Sequence, residues 1–178
     1  MTLRSVSRLG YALAPLLLGL ALIGCRPPDP SAGARQVEPN AGSSPAWELA
    51  DSEGKPVKAS DFAGKVVLFN FWATWCGPCR MEIPSLNQLQ DHYAEQGLVV
   101  LGVSIDEGSP TAVRQFAQKA GIRYPVLMAN DATLKAFGGV EAIPTSFVID
   151  RSGRIAAKHV GLADKAAFEE SIKPLLIP

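Results

Sequence analysis

Val66-Val67-Leu68-Phe69-Asn70-Phe71-Trp72 is a nearly continuous apolar run, and Cys76-Gly77-Pro78-Cys79 follows it four residues later. Such a run reads as a strand buried on both faces. The residues from Cys76 to about Gln96 read as a helix that Pro84 interrupts, with a kink and a freed carbonyl near residue 80. The cysteine pair therefore stands where a buried strand feeds a helix. At a helix start Cys76 meets unpaired backbone N–H groups and the positive end of the macrodipole, and both favour a thiolate over a thiol. The Cys-x-x-Cys spacing puts the second sulfur about one turn away, close enough to close a disulfide. Attack by an exposed Cys76 and resolution by a shielded Cys79 is the division of labour this placement suggests.

Two other uses of the pair stay open at this point: a permanent disulfide, or half of a metal site. Zinc would need two more Cys or His ligands. The remaining candidates are Cys25, His92 and His159, and neither histidine stands at ligand spacing from the pair. Both histidines read as residues of solvated faces, and Asp106-Glu107 as a loop after a strand with no evident partner.

The surrounding pattern is that of one α/β domain with a mixed sheet covered on both sides. Trp47–Ala50 and Val57–Ala59 flank a turn-rich interval and suggest a small hairpin; Ser60-Asp61 caps a short turn. Leu98–Ile105 reads as a second buried strand, and Ser109-Pro110 opens a helix that runs to about Ala120 with Gly121 as its stop. Pro125–Met128 makes a short strand and Ala132–Phe137 a short helix. Thr145–Ile149 and Arg154–Val160 flank a strong hairpin turn, Asp150–Gly153. Asp164 to about Leu176 closes the chain as an amphipathic helix, and no internal repeat is seen.

The N-terminal quarter is different. Arg4 and Arg8 precede an uncharged run, Leu9–Gly24, which is shorter than the ~20 residues of a membrane-spanning helix and contains Pro15, Gly19 and Gly24. Residues 1–24 therefore read as an export signal. Leu22-Ile23-Gly24-Cys25 resembles the bacterial lipobox, which implies lipid on Cys25 and cleavage before it; an uncleaved anchor helix is the alternative. Residues 25–45 hold five prolines and few large apolar groups, so they read as a flexible tether, with the folded domain over 46–178. Lys+Arg and Asp+Glu both number 17, and once the two N-terminal arginines are set aside the acids exceed the bases by two. No charge excess argues for nucleic acid.

Trp75-Cys76-Gly77-Pro78-Cys79 after an apolar strand, with Ile143-Pro144-Thr145 downstream, resembles the thioredoxin fold. The N-terminal hairpin, the segment 97–129 and Phe147–Gly153 resemble more specifically the TlpA/ResA group of membrane-tethered, generally reducing thiol–disulfide oxidoreductases. That resemblance makes Cys76 the nucleophile and Cys79 the resolving thiol, joined as Cys76–Cys79 when oxidised. It makes Pro144 a cis-proline that leaves the Ile143 backbone free to pair with a client strand, where a trans proline entering a strand is the plain alternative. Trp75, Gly77, Pro78, Ile143 and Pro144 form the client-facing surface, and Trp72 serves in packing. Neither a cofactor nor a metal is implied. The partners implied are exported disulfide-bearing clients, apocytochrome c among them, a membrane thiol donor, and the membrane itself through Cys25, on the periplasmic or outer side.

The chain departs from the thioredoxin pattern at Asn70, where thioredoxins carry a buried Asp six residues before the first cysteine. Asn cannot take a proton, and Glu82, three residues after Cys79, stands where TlpA/ResA proteins have a Glu. A partly buried carboxyl there would have a raised pKa and could take the Cys79 proton; its plain role would be to complement the helix dipole. Two other functions compete. A peroxiredoxin-like peroxidase would need Thr-x-x-Cys, whereas Thr74 is only two residues from Cys76. A Sco-like copper module would need a wider cysteine spacing and a distal histidine.

Overall fold

The computed structural model describes residues 35–37 and 42–176. The export signal at 1–24 and the lipidation expected at Cys25 lie outside the described residues. Eight strands form one sheet in the order β1-β8-β7-β4-β5-β6-β2-β3. They are β1 (Arg35–Val37), β2 (Glu48–Asp51), β3 (Pro56–Lys58), β4 (Val66–Trp72), β5 (Leu98–Ser104), β6 (Val126–Met128), β7 (Thr145–Ile149) and β8 (Ile155–Val160). The helices are α1 (Gly77–Tyr93), α2 (Pro110–Lys119), α3 (Asp131–Ala136) and α4 (Lys165–Leu176).

All seven residues of β4 are buried, as an apolar run without alternation requires. The strand lies parallel to β5 and antiparallel to β7. Val66 and Leu68 face one core with Leu86 and Leu89 of α1 and Phe168 and Ile172 of α4. Val67, Phe69 and Phe71 face the other, with Trp47 and Phe137. There Phe137 stacks on Phe69 with ring centroids 4.8 Å apart, and Trp47 packs at 5.0 Å from the same ring. The N-terminal hairpin β2–β3 extends the sheet by pairing β2 with β6.

Two features differ from expectation. α1 passes through Pro84 as one helix, Gly77–Tyr93, and ends in a short 3-10 turn, Ala94–Gln96. Proline removes one intrahelical bond, and Ile83, Leu86 and Leu89 bury the rest of that face against the sheet. In the stretch expected to be a tether, Arg35–Val37 pairs with β8. Gly42–Ser44 is also engaged: Ser44 N–H donates to Gly153 O at 2.7 Å and Ile155 N–H to Gly42 O at 3.1 Å. Backbone pairing thus begins upstream of residue 46.

Gly102 of β5 is required by close approach. A Cβ there would stand 2.9 Å from Tyr124 Cε2 and 3.1 Å from Trp72 Nε1. The missing side chain lets both rings lie against the strand, with Trp72 packed beside the cysteine pair.

Candidate active site

After β4 the chain turns over Ala73–Cys76, closed by Cys76 N–H donating to Ala73 O at 3.2 Å. Cys76 is the N-cap of α1, with extended backbone (φ −80°, ψ 110°). Its Sγ takes the position of a capping oxygen and accepts Cys79 N–H at 3.2 Å. Gly77 and Pro78 supply the first helical residues, where proline's lack of an N–H costs nothing. Cys76 and Cys79 are joined in a disulfide, with Cα atoms 5.3 Å apart.

The exposure expected of Cys76 is not found in this oxidised state. Cys76 is 5% exposed and Cys79 3%, and both pack with Trp72, Ala73 and Val113. Joined at the first turn of α1, the two cysteines are recessed together as a unit. The Ile143–Pro144 peptide bond is cis. The Ile143 carbonyl lies 3.9 Å from Cys76 Sγ, and Pro144 O accepts Gly161 N–H at 2.8 Å. Trp75, Gly77, Pro78, Ile143 and Pro144 therefore gather around one disulfide from two distant stretches of chain. Trp75 (67%), Met81 (66%) and Leu162 (38%) are the exposed large apolar side chains among the described residues. Only Trp75 is legible as such from its motif.

Glu82 lies one turn beyond Cys79 and is 1% exposed. Ala163 N–H donates to Oε1 at 2.7 Å, and Asn70 Nδ2–H donates to Oε2 at 3.2 Å. Asn70 also donates to Ser146 Oγ at 2.8 Å. Burial raises the Glu82 pKa to about 7, although both hydrogen bonds pull it down. A carboxyl with that pKa exchanges its proton near neutral pH, as a group serving a buried thiol must. Burial likewise pushes the neighbouring Tyr124 phenol far above its usual range, and the Glu82 charge adds to the shift.

The surroundings correct two readings of the sequence. Asp106 is partnered: its Oδ2 accepts Thr74 N–H at 3.0 Å and Ser104 Oγ–H at 2.7 Å, and its Oδ1 accepts Thr74 Oγ1–H at 2.6 Å. The partner is distant in sequence and arrives only through the parallel pairing of β4 with β5, which local pattern cannot reveal. His159 is buried, not solvated. Its Nε2 lies 2.9 Å from Ser171 Oγ and its ring packs edge-on against Phe168. Burial lowers its pKa, and the Glu170 charge opposes the shift. The residue lies on β8 beneath α4, so a strand that looks terminal in sequence is covered. His92 is exposed on α1. Among the described residues no group of three or more His, Cys, Asp or Glu is placed to hold a metal ion.

The AhpC/TSA family model matches residues 42–158. Thiol-disulfide oxidoreductase ResA of Geobacillus thermodenitrificans is 37% identical over 136 residues, covering 74% of this chain and 77% of that protein. ResA of Bacillus subtilis is 35% identical over 126 residues, covering 71% and 70%. Among solved structures, a thiol:disulfide interchange protein DsbE from Chlorobium tepidum superposes with a TM-score of 0.72 at 35% identity, covering 79% of this chain and 100% of that one.

Proposed function

Since this chain belongs to the AhpC/TSA family and is a thiol–disulfide oxidoreductase of the ResA kind, we propose that it works as a membrane-tethered reductase of exported proteins. The observation that carries this reading is a disulfide at a helix N-cap, beside the Ile143 carbonyl, with a buried carboxyl of near-neutral pKa one turn away.

In the working direction the reduced protein presents the Cys76 thiolate, stabilised by the amides at the start of α1. Its sulfur attacks a client disulfide, forming a Cys76–client bond and releasing one client thiolate. Cys79 then gives its proton to Glu82 and attacks Cys76 Sγ. The Cys76–Cys79 bond forms, the second client thiolate leaves, and two electrons have passed to the client. The oxidised state described above is the product of that cycle. A client strand lying along Ile143 is held by backbone pairing, and Trp75 offers it an apolar edge.

Lipid on Cys25 anchors the domain on the outer side of a membrane, and a membrane thiol donor restores the dithiol. The clients are exported proteins with reducible cysteine pairs, with the haem-attachment cysteines of apocytochrome c the class that the family resemblance favours. The reading is tested by reduction of insulin disulfides. The wild-type protein accelerates the reaction and Cys76→Ser abolishes the acceleration; a Cys76→Ser variant as active as wild type would overturn the mechanism.

A further inference from the structure

One backbone bond closes the turn Ala73–Cys76, yet its second half carries the two side chains that meet a client, Trp75 and Cys76. By itself such a turn can rock about its corner. The corner is fastened from outside, by the residue two positions beyond the end of β5. Asp106 grips Thr74 at both its backbone N–H (3.0 Å) and its hydroxyl (2.6 Å). The grip is aimed by Ser104, which is fully buried: its hydroxyl donates to Asp106 Oδ2 at 2.7 Å and accepts Asp106 N–H at 3.1 Å. Ile105 N–H donates to Trp72 O at 2.9 Å directly alongside. The sheet core thus dictates where Thr74 sits, and Thr74 dictates where the next two residues point.

We propose that Asp106 is a positioning residue of thiol–disulfide exchange, acting through Thr74 to hold Trp75 and Cys76 in the attacking geometry. Exchange needs the incoming sulfur in line with the bond it breaks, and a shift of about 1 Å in such an arrangement can cost up to about a hundredfold in rate. The same restraint keeps Cys76 Sγ against the amide of Cys79, which favours its ionised form. The assignment rests on Cys76 being the attacking thiol, and it makes Asp106 no part of the chemistry itself.

The test compares wild type with Asp106→Ala, Asp106→Asn and Thr74→Val. The readouts are kcat/KM for insulin reduction, the pH midpoint of Cys76 alkylation in the reduced protein, and Tm. Asp106→Ala is expected to lower kcat/KM about tenfold and to move the Cys76 midpoint upward as the sulfur leaves the α1 amides. Thr74→Val, which keeps the backbone N–H bond, gives a smaller effect in the same direction and serves if Asp106→Ala does not fold. Asp106→Asn recovers most of the loss, because its Oδ1 can accept the Thr74 and Ser104 donors while its amide donates to the Thr74 hydroxyl. A lowered Tm with an unmoved rate and midpoint overturns the proposal. So does an Asp106→Asn as impaired as Asp106→Ala, which would assign the effect to charge and not to placement. Neither result touches the role of Cys76, which Cys76→Ser tests separately.

Discussion

Glu82 is kept from water by the elements it serves, and its two hydrogen bonds do not offset the cost of burying its charge. Its pKa in the folded protein, about 7, stands above the ordinary 4.5. The folded state therefore holds a proton that the unfolded chain has lost across that interval, and stability falls as pH rises from about 4.5 to about 7. The full difference corresponds to about 3 kcal/mol. Glu82→Gln is accordingly expected to be the more stable protein at pH 8, with the difference vanishing near pH 4; denaturant unfolding at the two pH values checks it. The same variant should slow release of the second client thiol, since Gln accepts no proton from Cys79. At this scale the sequence reads well where chemistry is local. Cys76, Cys79 and Glu82 share one helix start, so spacing alone relates them. Asp106 and His159 fail to read because their partners, Thr74 and Ser171, come from other elements. Ser146 and Ala163 are invisible as ligands of the Asn70–Glu82 pair for the same reason.

Among the elements, periodicity and punctuation recover most of the architecture. Continuous apolar runs mark β4 and β5, Ser109-Pro110 marks the start of α2, and the Asp150–Gly153 turn marks the β7–β8 hairpin. Pro84 does not interrupt α1, because the rule for proline weighs one lost bond and not the buried face that holds the helix together. Arg151 is another residue whose work is tertiary. Within an exposed turn it donates to Gly64 O, Gln96 O, Leu175 O and Leu176 O, tying the last carbonyls of α4 to the opposite end of the sheet from the cysteines. Charged donors to backbone carbonyls contribute about 1.5–3 kcal/mol each at most, less when solvated. Arg151→Ala is therefore expected to lose about 1–3 kcal/mol in urea unfolding, while insulin reduction at 25 °C stays at the wild-type rate. A variant as stable as wild type would show that the four contacts are idle.

For the molecule as a whole, the strand register fixes where the chain enters the domain. Arg35 pairs with Val160, Val160 with Thr145, and Thr145 with Phe71, one residue before the end of β4. Arg35 thus stands at the same pole as Cys76, and ten residues of extended chain from Cys25 span at most about 35 Å. With the anchor proposed at Cys25, that pole is the one tethered within this reach of the bilayer. Wild-type protein on vesicles of brominated lipid is then expected to show more tryptophan quenching than Trp75→Phe; equal quenching would place the pole away from the surface. Pairing across a sheet of this order, with β1 beside β8 and the hairpin β2–β3 beside β6, is beyond what local pattern can state. All of it nevertheless serves one event, the capture of a client sulfur by Cys76. The most direct test incubates reduced Cys79→Ser protein with a disulfide-bearing client and weighs the product intact. A client joined covalently to Cys76 is the predicted result. Recovery of both proteins unlinked, with Cys76 still a free thiol, would contradict it.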